Sequence, residues 1–205
     1  MLKIRYYWLC FIVCLIQADI FSASKDRYKT PIKVENAKPL KKDQGYLLVK
    51  MDVEGVAPSL TVDRLRNKGG SFLDENESVR LLDEIFTIKL KDVGKGFYIM
   101  NLKAGLYQVT SVNVPYFNLP FRLDTSEEVT WRFSIHEGKT NYIGTLFVDK
   151  ERSSQLVNVA LFNRIATDKG TIETKFSGLL SQAALRNGTG VRDDFTQLLE
   201  SANNE

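Results

Sequence analysis

The only histidine of the chain sets a first limit on the chemistry that this protein can perform. His136 stands in the run Ile135-His136-Glu137-Gly138, which has the composition of a turn and predicts an exposed side chain. Catalysis of the Ser-His-Asp type needs a histidine held in a cleft beside a serine and oriented by a carboxylate. We therefore expect no catalytic residues and a protein that is not an enzyme.

Metal ligands are equally scarce after residue 24. Both cysteines, Cys10 and Cys14, lie before that point, so the remainder offers no thiolate and can form no disulfide. Zinc sites draw on several histidine and cysteine ligands, which argues against zinc. Calcium needs only oxygen ligands, but the acidic stretch that could supply them lacks the EF-hand spacing, so we predict no metal and no cofactor. That stretch contains Asp74, Glu75, Glu77, Asp83 and Glu84.

Two pairs of adjacent carboxylates, Glu127-Glu128 and Asp193-Asp194, could in principle serve glycoside hydrolysis. Adjacent residues point in different directions on a strand or a helix, whereas a glycosidase pair must face each other across a cleft. We interpret both pairs as solvated side chains. No glycine-rich phosphate loop precedes a helix, so nucleotide binding has no support.

The segment 115–121, Pro-Tyr-Phe-Asn-Leu-Pro-Phe, is the strongest candidate for a binding site. Its prolines stiffen the chain, and Tyr116, Phe117 and Phe121 supply more aromatic surface than a plain connection needs. Exposed rings would form a docking patch or a stacking platform for sugars. Buried rings would close one end of the fold instead.

The first 24 residues have the order of a secretory signal peptide. Lys3 and Arg5 form a basic start, residues 6–16 are an unbroken apolar run, and small residues follow. Spanning a bilayer takes roughly 20 apolar residues, so we expect cleavage, near Ser24 or Ala18, rather than a membrane anchor. The sequence thus predicts a periplasmic or secreted protein with no integral membrane segment after cleavage.

The net charge of the chain and the segment that follows residue 24 indicate which kinds of partner the protein could bind. A formal charge of +3 is far short of the basic excess of a nucleic-acid-binding protein, so we expect no nucleic acid. Residues 25–43 are polar and lysine-rich, contain Pro31 and Pro39, and are interpreted as a basic linker. Such an arm is either solvated or able to touch an anionic membrane surface or acidic polymer.

From residue 44 to 166 the dominant pattern alternates apolar and polar residues, which is typical of strands with one buried face. Residues 74–83 are the exception and read as an acidic loop. Lys103-Ala104-Gly105 and Glu137-Gly138 each separate two alternating runs and predict hairpins. The run 156–166 is apolar on both faces and predicts a central or covered strand.

The region 167–205 predicts helices packed on the strands, with a frayed tail. Apolar residues at helical spacing over 168–185 indicate one amphipathic helix capped by Asp168, and Phe195, Leu198 and Leu199 suggest a short final helix. Seven or eight strands followed by one or two helices indicate a mostly β fold, an antiparallel β-sandwich.

Two motifs resemble those of known proteins. The run 102–109, Leu-Lys-Ala-Gly-Leu-Tyr-Gln-Val, resembles a hairpin of transthyretin-like, or carboxypeptidase-regulatory-like, sandwich domains. The runs 133–139 and 141–144 resemble a hairpin of small exported bacterial proteins of unknown function. The resemblance covers about residues 45–185 and implies a sandwich fold and an exported location, but it brings no site residues.

Taken together, these patterns predict a non-enzymatic exported envelope protein that supports structure or binds a protein partner. The alternative is a module for a small ligand or carbohydrate that uses the aromatic segment.

Overall fold

The computed structural model describes residues 28–67, 78–116, 119–151 and 156–190, together with 193 and 195. The strands are β1 (Tyr28–Lys29), β2 (Ile32–Lys33), β3 (Gln44–Val53), β4 (Ser59–Asn67), β5 (Ser78–Lys89), β6 (Gly96–Lys103), β7 (Gly105–Tyr116), β8 (Leu119–Asp124), β9 (Arg132–Ile135), β10 (Thr140–Glu151), β11 (Leu156–Phe162) and β12 (Leu185–Asn187). The helices are α1 (Ile165–Lys175) and α2 (Ser177–Leu180), and Val34–Asn36 and Val129–Trp131 form 3-10 turns.

Within the described residues the strands form two six-stranded sheets, which confirms a mostly β sandwich with a helical C-terminal part. The first sheet has the order β1-β5-β4-β7-β8, with β9 also paired to β7. The second has the order β11-β10-β3-β6-β2, with β12 also paired to β10. Most neighbouring strands are antiparallel, but β3 and β12 run parallel to β10, and β1 runs parallel to β5.

The main core lies between the sheets and follows the predicted alternation. Leu47, Val49 and Met51 of β3 point into it, where Tyr107 of β7 stacks on Phe133 of β9 with ring centroids 5.3 Å apart. Each fully buried apolar side chain of this size contributes roughly 1.5–3 kcal/mol, so the sandwich depends on this layer.

A second apolar core covers the outer face of the second sheet. Tyr46 and Leu48 of β3 point outward and pack with Ile172 and Phe176 beneath the helices. This explains why β3 is apolar on both faces. The helix differs from the predicted 168–185: α1 begins at Ile165 and ends at Lys175, so Asp168 lies in its first turn and is not its cap.

The two predicted hairpins are wrong in their pairing, although their strands exist. β6 belongs to the second sheet and β7 to the first. Likewise, β9 belongs to the first sheet and β10 to the second. The reason is β3, which pairs with both β6 and β10 and so occupies the place that a hairpin partner would take. Both connections therefore cross from one sheet to the other.

Tyr107 explains the crossing between β6 and β7. Its hydroxyl donates a hydrogen bond of 2.8 Å to the carbonyl oxygen of Lys103, four residues back. Such a bond is typical of the tyrosine corner, which fixes a connection between the sheets of a sandwich. The backbone N–H of Ala104 also donates to the carbonyl oxygen of Asp43, which anchors the crossing to the start of β3.

Three further segments differ from the expectation. Residues 78–83, expected in a loop, begin the strand β5, and Val129–Trp131 forms a 3-10 turn where a strand was expected. Gln108 is fully buried, and its Nε2 donates to the carbonyl oxygens of Thr125 and Glu128, which holds that turn in place. The run at 156–162 is neither central nor fully covered: β11 stands at an edge of the second sheet, with half-exposed side chains.

The described part of the segment predicted as a linker is attached to both sheets. β1 adds to β5 at the edge of the first sheet, and β2 adds to β6 at the edge of the second. Val34 is buried in the second core. Residues 28–34 thus close one side of the sandwich.

Across the described residues, none of the helices combines the length and the apolar character required to cross a membrane.

Candidate functional site

The described residues of the aromatic segment, 115, 116 and 119–121, lie in the antiparallel pair β7 and β8 of the first sheet. Pro115 pairs with Pro120 across β7 and β8, and Phe121 is partly buried against the main core. The side chain of Tyr116, and Phe117 as a whole, lie outside the described residues. The hypothesis that these rings form a stacking platform for sugars therefore stays a prediction. Phe121 does not support it, because its ring is partly buried.

His136 lies in the crossing between β9 and β10, which Asn141 organises. The Asn141 side chain is fully buried; its Oδ1 accepts from the backbone N–H of His136, and its Nδ2 donates to the carbonyl oxygen of Tyr46. The histidine thus lies in a hydrogen-bonded connection between the two sheets, where the sequence pattern predicted a hairpin tip.

The candidate carboxylates do not form a site within the described residues. Asp74, Glu75 and Glu77, the side chain of Asp83, and Asp194 lie outside those residues, while Glu127 and Glu128 are exposed. Asp193 accepts a 2.7 Å hydrogen bond from the backbone N–H of Ala166 at the start of α1. Wherever the structure describes the chain, no three histidine, cysteine or acidic side chains converge as metal ligands.

A buried polar cluster joins α1 to the second sheet, and sequence patterns did not reveal it. Asp168 is 5% exposed. Its Oδ1 accepts a 2.7 Å ion-paired hydrogen bond from Lys50 Nζ on β3, and its Oδ2 accepts a 2.6 Å hydrogen bond from the Tyr142 hydroxyl on β10. The first turn of a helix also favours a negative charge.

This cluster is suited to holding the helix rather than to proton transfer. Burial, together with the hydrogen bond to Asp168, raises the pKa of Tyr142 far above its ordinary value of 10.0. A general acid or base works best with a pKa near the working pH. Tyr142 therefore stays protonated and donates permanently to Asp168.

The raised pKa of Tyr142 predicts a loss of stability at high pH. The phenol of the unfolded chain ionises near pH 10, whereas the folded protein keeps its proton, so stability is full below that pH and falls as the pH rises above it. In urea unfolding from about pH 8 to about pH 11, Tyr142→Phe should flatten this decline. An equally steep decline in Tyr142→Phe would contradict the assignment.

An open groove of about 360 Å³ lies where the N-terminal segment meets the second sheet. Lys29, Lys38 and Lys41 line it, and the described residues of its lining include no carboxylate. Ile32 and Pro39 add apolar surface, whereas Ile99 is fully buried beneath the groove. The groove therefore combines three lysines with a mixed lining, in which Thr30, Gln44 and Asn101 are the polar members.

Hydrogen bonds hold the walls of this groove in place. The carbonyl oxygen of Lys38 accepts from the Tyr46 hydroxyl at 2.8 Å and from Asn101 Nδ2 at 3.1 Å. Gln44 Oε1 accepts from the backbone N–H of Lys41. Because the backbone is anchored to β3 and β6, Lys38 and Lys41 are presented from fixed positions while both side chains remain exposed.

Comparison with known proteins does not add a family: no protein-family model matches the chain, and no curated protein matches its sequence. The resemblance to transthyretin-like domains therefore stays a prediction.

Proposed function

We propose that this protein is a non-enzymatic, exported binding module of the cell envelope, and that the lysine-lined groove takes an acidic segment of a partner protein. The observation that carries the proposal is the groove itself, which is lined by three lysines and by the apolar side chains of Ile32 and Pro39, with no carboxylate among the described lining residues.

Charge supports an acidic partner. Lys38 and Lys41 are exposed, and Lys29 is half-buried with its Nζ 5.1 Å from the centre of the Phe86 ring. Complementary charge across an interface speeds encounter and suppresses wrong partners. An acidic segment would gain these contacts without the cost of burying a lone ion.

The lining of the groove suits a peptide. The groove is open to solvent, and apolar contacts with Ile32 and Pro39 would accept a hydrophobic side chain between acidic ones. Groove-bound extended peptides gain specificity from such alternate side chains.

The chemistry of the buried cluster fits a structural role for these residues. Lys50 and Asp168 neutralise each other, and the hydroxyl of Tyr142 is engaged by the same carboxylate. A group intended for proton transfer would need a shifted pKa near neutrality and access to a substrate.

A direct test is the binding of a fluorescein-labelled, glutamate-rich decapeptide with two leucines, followed by fluorescence anisotropy. Lys29→Ala/Lys38→Ala/Lys41→Ala should weaken binding roughly tenfold to hundredfold, because each lost contact with a charge is worth about 0.5–1 kcal/mol. Binding of the unchanged protein should also weaken as salt is raised.

The matched control removes the same charge elsewhere. Lys91→Ala/Lys139→Ala/Lys169→Ala changes three exposed lysines outside the groove, and we expect nearly unchanged binding. Equal weakening by both triple variants would mean that net charge alone is responsible. If the protein bound anionic lipid vesicles but not the peptide, its partner would be a membrane surface and not an acidic protein.

A further inference from the structure

The edges of the two sheets differ in how they are protected against pairing with other chains. β1 and β2 are only two residues long and flank Pro31, and β8 carries Pro120 and Arg122. Short length, proline and charge are the devices by which proteins protect sheet edges. The edge at β11 carries none of them.

β11 has the composition of an interior strand. Its seven residues, Leu-Val-Asn-Val-Ala-Leu-Phe, include no charge and no proline. It pairs with β10 on one side, and within the part of the chain that the structure describes no strand pairs with its other side. Strands that are apolar on both faces are normally buried within a sheet.

The side chains of β11 also leave the main core incompletely covered. Val157, Val159 and Leu161 pack against that core but are only half-buried, and Phe162 is 41% exposed. A further strand beside β11 would continue the sheet and shield these side chains from water.

We infer that β11 pairs antiparallel with β11 of a second copy of this chain, so that two second sheets join into one. With the two-fold axis at Val159, Val157 lies opposite Leu161 of the second copy, and Asn158 lies opposite Ala160. Every such pair matches an uncharged residue with an uncharged residue, and apolar residues meet on the core face. About six to eight main-chain hydrogen bonds would form.

The two-fold arrangement also sets the size of the assembly. Each copy has one β11 and uses it once, so the pairing closes at two copies. β2 stands at the opposite end of the same sheet, so the lysine-lined groove beside it stays accessible in both copies. The inference is independent of the proposed function.

The test is the molar mass of the purified exported chain, measured by analytical ultracentrifugation at protein concentrations from about 1 to about 100 µM. We expect the mass of two chains at the upper concentrations. Asn158→Lys/Ala160→Lys places lysines opposite each other across the axis, and should weaken association at least about tenfold, because like charges directly opposite destabilise a pair of strands.

Two controls separate pairing from folding. Val129→Lys/Thr130→Lys adds the same charge at exposed positions outside β11 and should leave the two-chain mass unchanged. An equimolar mixture of Asn158→Lys/Ala160→Lys with Asn158→Glu/Ala160→Glu should regain it, because unlike charges then meet. A misfolded β11 would not be rescued by mixing.

A one-chain mass of the unchanged protein at about 100 µM would overturn the inference. So would an unchanged mass of the lysine variant, a failure of the mixture to reassociate, or open-ended assembly beyond two chains.

Discussion

Gly144→Ala is expected to lower the free energy of unfolding by about 3–5 kcal/mol, through backbone strain and overpacking together. Gly144 has a φ of +108°, which side-chain-bearing residues rarely adopt. A Cβ there would also lie well inside contact distance of the carbonyl oxygen of Phe162. The register of β10 against β3 shifts at this point, between Tyr142 and Thr145.

The measurement is urea unfolding of residues 25–205 followed by the fluorescence of Trp131. That tryptophan is 4% exposed in the main core, and Trp8, the other one, lies in the segment predicted as a signal peptide. Gly170→Ala is the matched control, because a Cβ at this position in α1 meets no atom within 4 Å. We expect it to stabilise the protein by roughly 0.5–1 kcal/mol. Comparable losses in both variants would contradict the steric argument.

Asp168→Ala is expected to cost about 2–4 kcal/mol of unfolding free energy. The change leaves the buried hydroxyl of Tyr142 without its carboxylate acceptor and removes the ion pair to Lys50. It also removes a negative charge from the first turn of α1. The helix should loosen from the second sheet before the sandwich itself unfolds.

Amide hydrogen exchange provides the local measurement for this prediction. Protection should fall first in α1, whereas the strands of the main core should keep theirs. Lys50→Met serves as the comparison and should cost less, because the Lys50 side chain is 39% exposed while the remaining Asp168 keeps its hydrogen bond from Tyr142. If Lys50→Met were the more damaging change, the ion pair rather than the buried hydrogen bond would hold the helix.

The class of fold was readable from the sequence because it depends on local patterns. Period-two alternation in runs such as 47–53 follows directly from the geometry of a strand, and it predicted most strands of the sandwich. Helical spacing predicted an amphipathic helix after the last long strand. The absence of cysteine after residue 24 and the single histidine limited the chemistry by composition alone.

The lysines of the candidate groove could be recognised in the sequence, but the groove itself could not. The lysines of residues 25–43 left open a solvated linker or contact with an anionic surface, and the pattern could not show that β1 and β2 attach this segment to both sheets. Two-residue strands carry too little alternation to be recognised, and their pairing depends on β5 and β6, more than 50 residues away. The groove exists only because those distant pairs form.

Strand order, by contrast, was decided by tertiary structure. The residues at 103–105 and 137–138 signal a reversal of the chain, but a hairpin and a crossing between sheets use the same turn residues. β3 decides between them, because it takes the places beside β6 and β10. Asp168 shows the same limit: its sequence position indicated a helix start, while its buried role depends on Lys50, 118 residues earlier. Local spacing determines which elements form, whereas competition among distant partners determines where they lie.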